Sequence, residues 1–236
     1  MHNIGMDFYA IVNNLGEDVS FNVSRDDTMP MFQTVKASLE NATQAAYNMV
    51  DRAYLVKGNM VIPNSKSTQE LKGLYFTRES VPDKNYLMIS ALPEPQAPLI
   101  CFVYAVECNA EASLLKKNDN TGEKDEWGNP ISTYRVENEN IPVYWYTTLR
   151  SYKIQNNGRL DQAIYTMYLP AKYKLSPADK VIKKSFVNGV YKDEIYNVDS
   201  IETAMSSLNE SGEIIGIVSA QLTLNLDKVV VEDEEP

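Results

Sequence analysis

Residues 165–182 read YTMYLPAKYKLSPADKVI, and they combine two β-type runs with a turn. The run from Tyr165 to Leu169 is rich in residues that favour strands. Pro170 has no backbone N–H to donate, so it ends that strand. In the turn SPAD, residues 176–179, the proline fixes φ at the second position. The pattern therefore predicts a strand, a turn and a second strand that begins at Lys180.

Further β-type runs fill the rest of the C-terminal half at regular spacing. Asn188-Gly189 is a strong hairpin signal between two of these runs. In the last run, apolar residues at every second position from Val218 alternate with polar ones, as on a strand with one buried face. Short strands separated by turn signals predict a β-barrel or a sandwich. The predicted strands cover residues 143–149, 151–155, 163–169, 180–184, 195–201 and 218–226.

The N-terminal half predicts an α+β unit over residues 1–116. Residues 8–12 and 19–23 are interpreted as a hairpin. Thr28 and Pro30 are typical of a helix start, and apolar residues then recur every three or four positions as far as Ala53. This spacing predicts one amphipathic helix packed on its own sheet, with a coiled-coil seam as the alternative. The strands predicted after it cover residues 61–63, 74–77, 87–91 and 99–106.

A polar segment over residues 117–129 is the predicted linker or extended loop. Its resemblance to a calcium loop fails, because Lys117 would occupy the first ligand position. Residues 130–231 are then the C-terminal barrel domain, and residues 232–236 are an acidic tail. The predicted fold class is mainly β, α+β overall, with an N-terminal sheet carrying one helix and a small C-terminal β-barrel.

The sequence offers little for catalysis or for cofactor binding. Its one histidine is His2, which removes histidine-based triads and zinc sites in practice. No glycine-rich phosphate loop is present, and the 32 acidic residues are interpreted as surface groups. We therefore predict no enzyme activity, no catalytic residues, no cofactor and no metal.

Charge and cysteine content limit the partners and the compartment. The net charge of −10 disfavours tight DNA binding but permits a channel through which DNA slides. Cys101 and Cys108 lie seven residues apart on an extended segment, so they face opposite sides and are not expected to pair. No apolar run is long enough to span a bilayer and no secretory signal is evident, so we expect a soluble protein made in a cytoplasm.

The order of four C-terminal segments resembles a known family. A strand YTMYLP is followed by LSPADKVI, then by YNVDSIE, and then by a last strand ending in AQL. This order resembles the small β-barrel head-closure proteins, or stoppers, in the necks of tailed bacteriophages. The resemblance implies a ring of about twelve copies that closes the head after DNA packaging and docks the tail. It implies contacts with portal, adaptor and tail proteins, and it implies that packaged DNA passes through the ring without sequence-specific binding. It also implies that the protein is made in the bacterial host cytoplasm, lies in the neck of the virion and does not contact a membrane.

Interface residues are expected in the motif and in the linker. Trp127 lies in a polar loop, where a large aromatic residue is a candidate anchor for a partner. Trp145 is expected in the core, and Lys180, Lys183 and Lys184 are interpreted as guards of an edge strand. The predicted interface residues are Trp127, Gly128, Asn129, Tyr165, Tyr168, Ser176 and Asp179.

Three alternatives remain open at the level of sequence. The chain could be another phage neck or tail component, such as a tail terminator, a baseplate protein or a fibre-attachment protein. It could be a non-viral β-barrel module that binds a ligand or a polysaccharide. A hydrolase with an acid pair is the third.

Overall fold

The structure is a computed structural model that describes residues 4–23, 31–41, 54–63, 66–118, 132–150, 163–187, 190–203, 205–226 and 229–231. Within these ranges the chain forms one α-helix, α1 (Ile4–Leu15), and then fourteen strands. The mainly β fold with one helix and a C-terminal barrel is therefore confirmed. The first six strands are β1 (Glu17–Asn22), β2 (Phe32–Asn41), β3 (Leu55–Val61), β4 (Tyr75–Arg78), β5 (Val81–Pro93) and β6 (Ile100–Glu107). The others are β7 (Ala110–Asn118), β8 (Thr133–Arg150), β9 (Ala163–Pro170), β10 (Lys180–Val187), β11 (Val190–Glu202), β12 (Ser206–Leu208), β13 (Ile214–Leu224) and β14 (Val230–Val231).

The chain divides into two units. The first unit holds Met1–Asn109, Leu169–Tyr173 and Thr203–Val218, and the second holds Ala110–Tyr168, Lys174–Glu202 and Ser219–Pro236. β7 thus belongs with the C-terminal strands. Residues 119–131, most of the predicted linker, lie outside the described residues.

The first unit contains a closed six-stranded barrel in the order β1-β2-β3-β6-β5-β4. Alternate side chains of these strands point inwards and are removed from water, which supplies most of the driving force for folding. Aromatic rings of Phe21, Phe76 and Tyr86 pack in a row inside it, with centroids 5.2 and 5.3 Å apart. Other residues of this core include Val19, Val56, Met60, Leu71, Met88 and Val103.

The helix lies in a different place from the one that the sequence predicts. Residues 8–12, predicted as a strand, belong to α1, whereas β2 (Phe32–Asn41) occupies the start of the predicted helix. Both segments are short enough for their apolar residues to fit either a helical or a strand period, so periodicity alone does not show which segment is the helix. In β2, Val35, Ala37 and Leu39 alternate with polar neighbours, and pairing with β1 and β3 selects the strand. Residues 42–53 of the predicted helix lie outside the described residues.

One face of α1 packs against the first barrel. Phe8, Tyr9 and Val12 contact Val61, Ala97 and Ile100. Val12 follows Phe8 by four positions and Tyr9 by three, and these spacings place the three side chains on one side of the helix. The β-type composition of the segment is thus overridden by a tertiary contact.

A late segment of the chain completes the first unit. β12 pairs with the start of β13, and Ile215 and Ile217 of β13 are buried. The N–H of Gly216 donates to the carbonyl of Lys72 at 3.1 Å. At Gly73 a Cβ atom would lie 2.0 Å from the carbonyl oxygen of Gly216, so only glycine permits this approach of the two backbones.

The second unit contains a closed barrel of six strands in the order β11-β10-β7-β8-β9-β13, and β13 pairs back to β11. Val181, Met167, Ala220 and Leu222 are fully buried. The predicted alternation along the last strand is confirmed at Ala220 and Leu222, which are buried on either side of the exposed Gln221. Trp145 is buried, as predicted.

Candidate interaction surface of the second barrel

The turn over residues 176–179 is held by the carboxylate of Asp179. The backbone N–H of Ser176 donates to Asp179 Oδ2 at 2.7 Å, and the N–H of Asp179 donates to the carbonyl of Ser176 at 3.0 Å. This reciprocal pair closes the turn that the sequence predicts. Asp179 is only 4% exposed, so its charge requires a partner.

The partner of that charge comes from β7. Lys116 Nζ lies 2.7 Å from Asp179 Oδ2 and donates to the carbonyl of Lys174, also at 2.7 Å. Glu137 Oε2 lies 3.9 Å from the same ammonium group. The N–H of Val198 in β11 donates to the carbonyl of Asp179 at 3.4 Å. The turn is therefore tied to the strands on both sides of β10.

Tyr168 is buried in a stack of tyrosines. Its ring lies 6.0 Å from that of Tyr144 and 6.2 Å from that of Tyr146, in near-parallel orientations. Burial, together with the neighbouring Tyr146 hydroxyl, raises the pKa of Tyr168, although a hydrogen bond with Ser219 acts the other way. The hydroxyl group thus remains protonated at any physiological pH and acts as a hydrogen-bonding group of the barrel wall.

A second aromatic cluster joins three strands of the second barrel. Trp145 of β8 lies 4.8 Å from the ring of Tyr196 in β11 and 5.7 Å from the ring of Tyr165 in β9. Lys183 places its ammonium group 4.8 Å from the indole centroid, a cation–π geometry. Burial lowers the pKa of Lys183, and the carboxylate of Glu194 partly counters this shift.

Glu194 links this aromatic cluster to the hairpin of β10 and β11. Its Oε2 accepts hydrogen bonds from Ser185 Oγ at 2.6 Å and from the Tyr196 hydroxyl at 2.9 Å. Burial, together with the hydrogen bond to Glu194 and its negative charge, raises the pKa of Tyr196. Lys183 and Glu194 face each other in register across the two strands.

The structure brings together only part of the predicted interface set. Tyr168 and Asp179 are buried within the chain, Tyr165 is half-buried on the aromatic cluster, and Ser176 is half-buried in its turn. The prediction that these residues contact a partner stays a prediction. Trp127, Gly128 and Asn129 lie outside the described residues.

The hairpin that Asn188-Gly189 predicts has longer strands than the sequence indicates. Its outer part, which we call the arm, comprises residues 184–187 of β10 and residues 190–193 of β11. Its four cross-strand pairs run from Lys184↔Asp193 to Val187↔Val190. The pairing of β10 with β7 ends at Lys183, and the pairing of β11 with β13 begins at Tyr196. The Asn188-Gly189 signal indicates such a hairpin, but only the registers show that it extends past the pairing of its two strands with β7 and β13.

The described residues show no prepared metal site or activated thiol. No group of three or more histidine, cysteine, aspartate or glutamate side chains is placed to hold a metal ion there. Cys101 and Cys108 are free thiols, as predicted from their spacing. Burial raises the pKa of Cys101 to about 12 and raises the pKa of Cys108 as well, so both thiols stay protonated and weakly nucleophilic at neutral pH.

In the part of the chain that the structure describes, no helix has the length and apolar character needed to cross a membrane. Comparisons of the chain with protein-family models, with curated proteins and with solved structures find no match.

Proposed function

We propose that this chain is a structural subunit of the neck of a tailed bacteriophage. In this role, copies form a ring below the portal and its adaptor, close the head after DNA packaging and give the tail a docking surface. The observation that carries the proposal is the common location of the four motif segments. They are β9, β10, β11 and β13, and all four are walls of the same closed barrel.

The turn over residues 176–179 also has a structural role that suits such a barrel. Asp179 closes the turn on Ser176 and neutralises Lys116, so the sequence SPAD fixes how β10 joins its neighbours β7 and β11. A ring subunit must hold its shape while it is gripped by other proteins. A part-buried ion pair that also hydrogen-bonds the backbone of Lys174 and Ser176 serves that need when both partners are present.

The charge of the chain is compatible with a channel for DNA. A net charge of −10 repels phosphates, so DNA moves past the ring without being retained. A binding module for nucleic acid would instead carry a basic surface.

The test locates the protein in particles. The chain is expressed with a C-terminal epitope tag in cells that produce a phage carrying this gene, and purified particles are labelled with gold-conjugated antibody. We expect label at the junction of head and tail by electron microscopy. We also expect the phage without the gene to yield separate tails together with heads that lose their DNA.

Each other location identifies a different alternative. Label at the tail tip or on fibres would overturn the head-closure role and favour a baseplate or fibre-attachment protein. A tagged chain that complements the missing gene yet is absent from purified particles would overturn the structural role altogether. An untagged chain in the same phage is the control for nonspecific labelling.

A further inference from the structure

We propose that copies of this chain join head to tail by pairing the arm of one copy with an acidic edge of β8 in the next copy. The acidic edge is residues 136–141 of β8. The inference deepens the proposed function, on which it rests, because a ring needs a repeated contact between copies.

Residues 184–187 of the arm offer a strand edge that has no partner strand among the described residues. The four residue pairs of the arm extend about 13 Å beyond the last pairing with β7, at about 3.4 Å per residue. No strand among the described residues pairs with the outer edge of residues 184–187. Val190 and Tyr191 at the tip are 63% and 74% exposed. A free backbone edge with apolar side chains at its tip is a site for strand addition.

The acidic edge offers the complementary feature. On the side of β8 away from β7, β14 pairs only with Thr133 and Tyr134, and β9 pairs from Tyr144 onwards. Between them, residues 136–141 pair with no strand of the described chain on that side. Glu137 and Glu139 on this stretch are exposed.

Charge favours pairing of the arm with the acidic edge over pairing of one arm with another. The arm carries two lysines, Lys184 and Lys192, against one aspartate, Asp193, in a chain whose net charge is −10. Two arms of like charge repel each other, whereas each arm is attracted to the acidic edge. The contact is therefore heterologous, between two different surfaces.

The strand register shows that the arm cannot pair with the acidic edge of its own copy. The arm continues β10 past Ala110, the first residue of β7, whereas the acidic edge runs alongside Ala112 and Leu114 towards Thr133. Thr133 lies opposite Asn118, at the far end of β7. The arm thus points away from the acidic edge of the same barrel. A heterologous contact repeated between identical copies gives a ring when its rotation closes.

Thiol cross-linking tests the contact directly. Lys192→Cys and Glu139→Cys are combined in the full-length chain, which is treated with a short thiol-specific cross-linker. We expect a ladder of covalent oligomers, since each copy has one introduced thiol for each neighbour, and the wild-type chain with only Cys101 and Cys108 shows what the native thiols contribute. The pair Lys192→Cys and Glu210→Cys is the matched control, because Glu210 is also exposed but is not part of the acidic edge. No ladder, or an equal ladder in the control, would overturn the proposal.

Charge reversal tests the same contact without new thiols. Lys184→Glu with Lys192→Glu, or Glu137→Lys with Glu139→Lys, should each weaken self-association about tenfold in low salt, measured by sedimentation velocity. All four changes in one chain should restore it, because the reversed arm then meets a reversed edge. Asp83→Lys with Glu210→Lys makes the same change in net charge as Glu137→Lys with Glu139→Lys, but at exposed acids of the first unit, and should leave association unchanged.

These results separate the inference from the function on which it rests. A wild-type chain that stays monomeric, or a quadruple variant as weak as the double variants, would overturn the arm contact. If gold label still marks the neck, the head-closure role survives and another surface joins the copies. Charge rescue together with label elsewhere in the particle would keep the contact and overturn the neck position.

Discussion

Asp179 shows how a single residue of the motif acts on the whole second barrel. The sequence identifies it as a turn residue, and the hydrogen bonds with Ser176 bear that out. Its burial and its ion pair with Lys116 could not be predicted, because Lys116 is 63 positions away and meets it only through the pairing of β7 with β10. The residues of a turn can be predicted from the local sequence, whereas an ion-pair partner that is brought close by strand register cannot.

The substitution Asp179→Asn should lower the free energy of unfolding by about 1–3 kcal/mol. The amide oxygen can still accept from Ser176, but the ammonium group of Lys116 loses its closest anionic partner. Urea unfolding of the full chain measures the loss. Asp199→Asn is the matched control, since Asp199 is exposed and accepts one hydrogen bond from Thr223 at 3.1 Å. A control as destabilised as Asp179→Asn would contradict the special role of the ion pair.

Glu17 gives the first barrel a dependence on pH. Burial by itself raises the pKa of Glu17, but hydrogen bonds from Ser80 and Arg78, with the positive charge of Arg78, outweigh it and leave the pKa below its ordinary value. The guanidinium group lies 2.6 Å from the carboxylate. A pKa lowered by folding adds stability above the pKa of the unfolded chain, and that stability is lost as the pH falls through the folded value.

We therefore expect Glu17→Gln to cost about 1 kcal/mol at neutral pH and almost nothing well below pH ~4, where the wild-type carboxylate is protonated too. Chemical unfolding across this pH range measures the difference between the two proteins. Asp83→Asn, at an exposed position of the same barrel, should show no such dependence. A constant difference at all pH values would mean that Glu17 acts through packing and not through its charge.

At the scale of elements, most strands could be predicted and the helix could not. Strands β9, β10 and β13 follow from composition, alternation and turn residues, and the structure places them close to the predicted bounds. The exchange between α1 and β2 has a physical cause. α1 is short, its segment is rich in β-type residues, and what holds it is the contact of Val12 with Ala97 and Ile100, far along the chain.

The position of Val12 and Ile11 on different sides of α1 leads to a prediction about their substitution. Val12→Ala should cost about 1–3 kcal/mol, because Val12 is buried against the first barrel. Ile11→Ala should cost less than about 0.5 kcal/mol, because Ile11 lies on the exposed side of the helix. Thermal or urea unfolding of the two variants compares them. Similar losses at both positions would contradict the orientation of α1.

For the whole molecule, the sequence predicts a mainly β chain with a C-terminal barrel, and both are confirmed. What it cannot show is how segments from distant positions complete each unit. Residues 203–218 belong to the first unit although five strands, β7 to β11, separate them from β6 along the chain, and β7 belongs to the second unit. The local sequence does not indicate which unit such a segment joins, since each segment is an ordinary strand whose partner strand is determined by packing.

This interleaving makes the domain boundary near residue 116 testable. A fragment of residues 1–116 lacks Ile215 and Ile217, whose burial contributes about 1.5–3 kcal/mol each, and it lacks the hydrogen bond from Gly216 to Lys72. Because a domain is stable by only about 5–15 kcal/mol, we expect the fragment to be markedly less stable than the first unit within the full chain. Joining residues 203–218 to the fragment through a flexible linker should restore much of that stability, measured by thermal unfolding followed by circular dichroism. A fragment of residues 1–116 as stable as the joined version would show instead that the N-terminal domain ends where the sequence alone places its boundary.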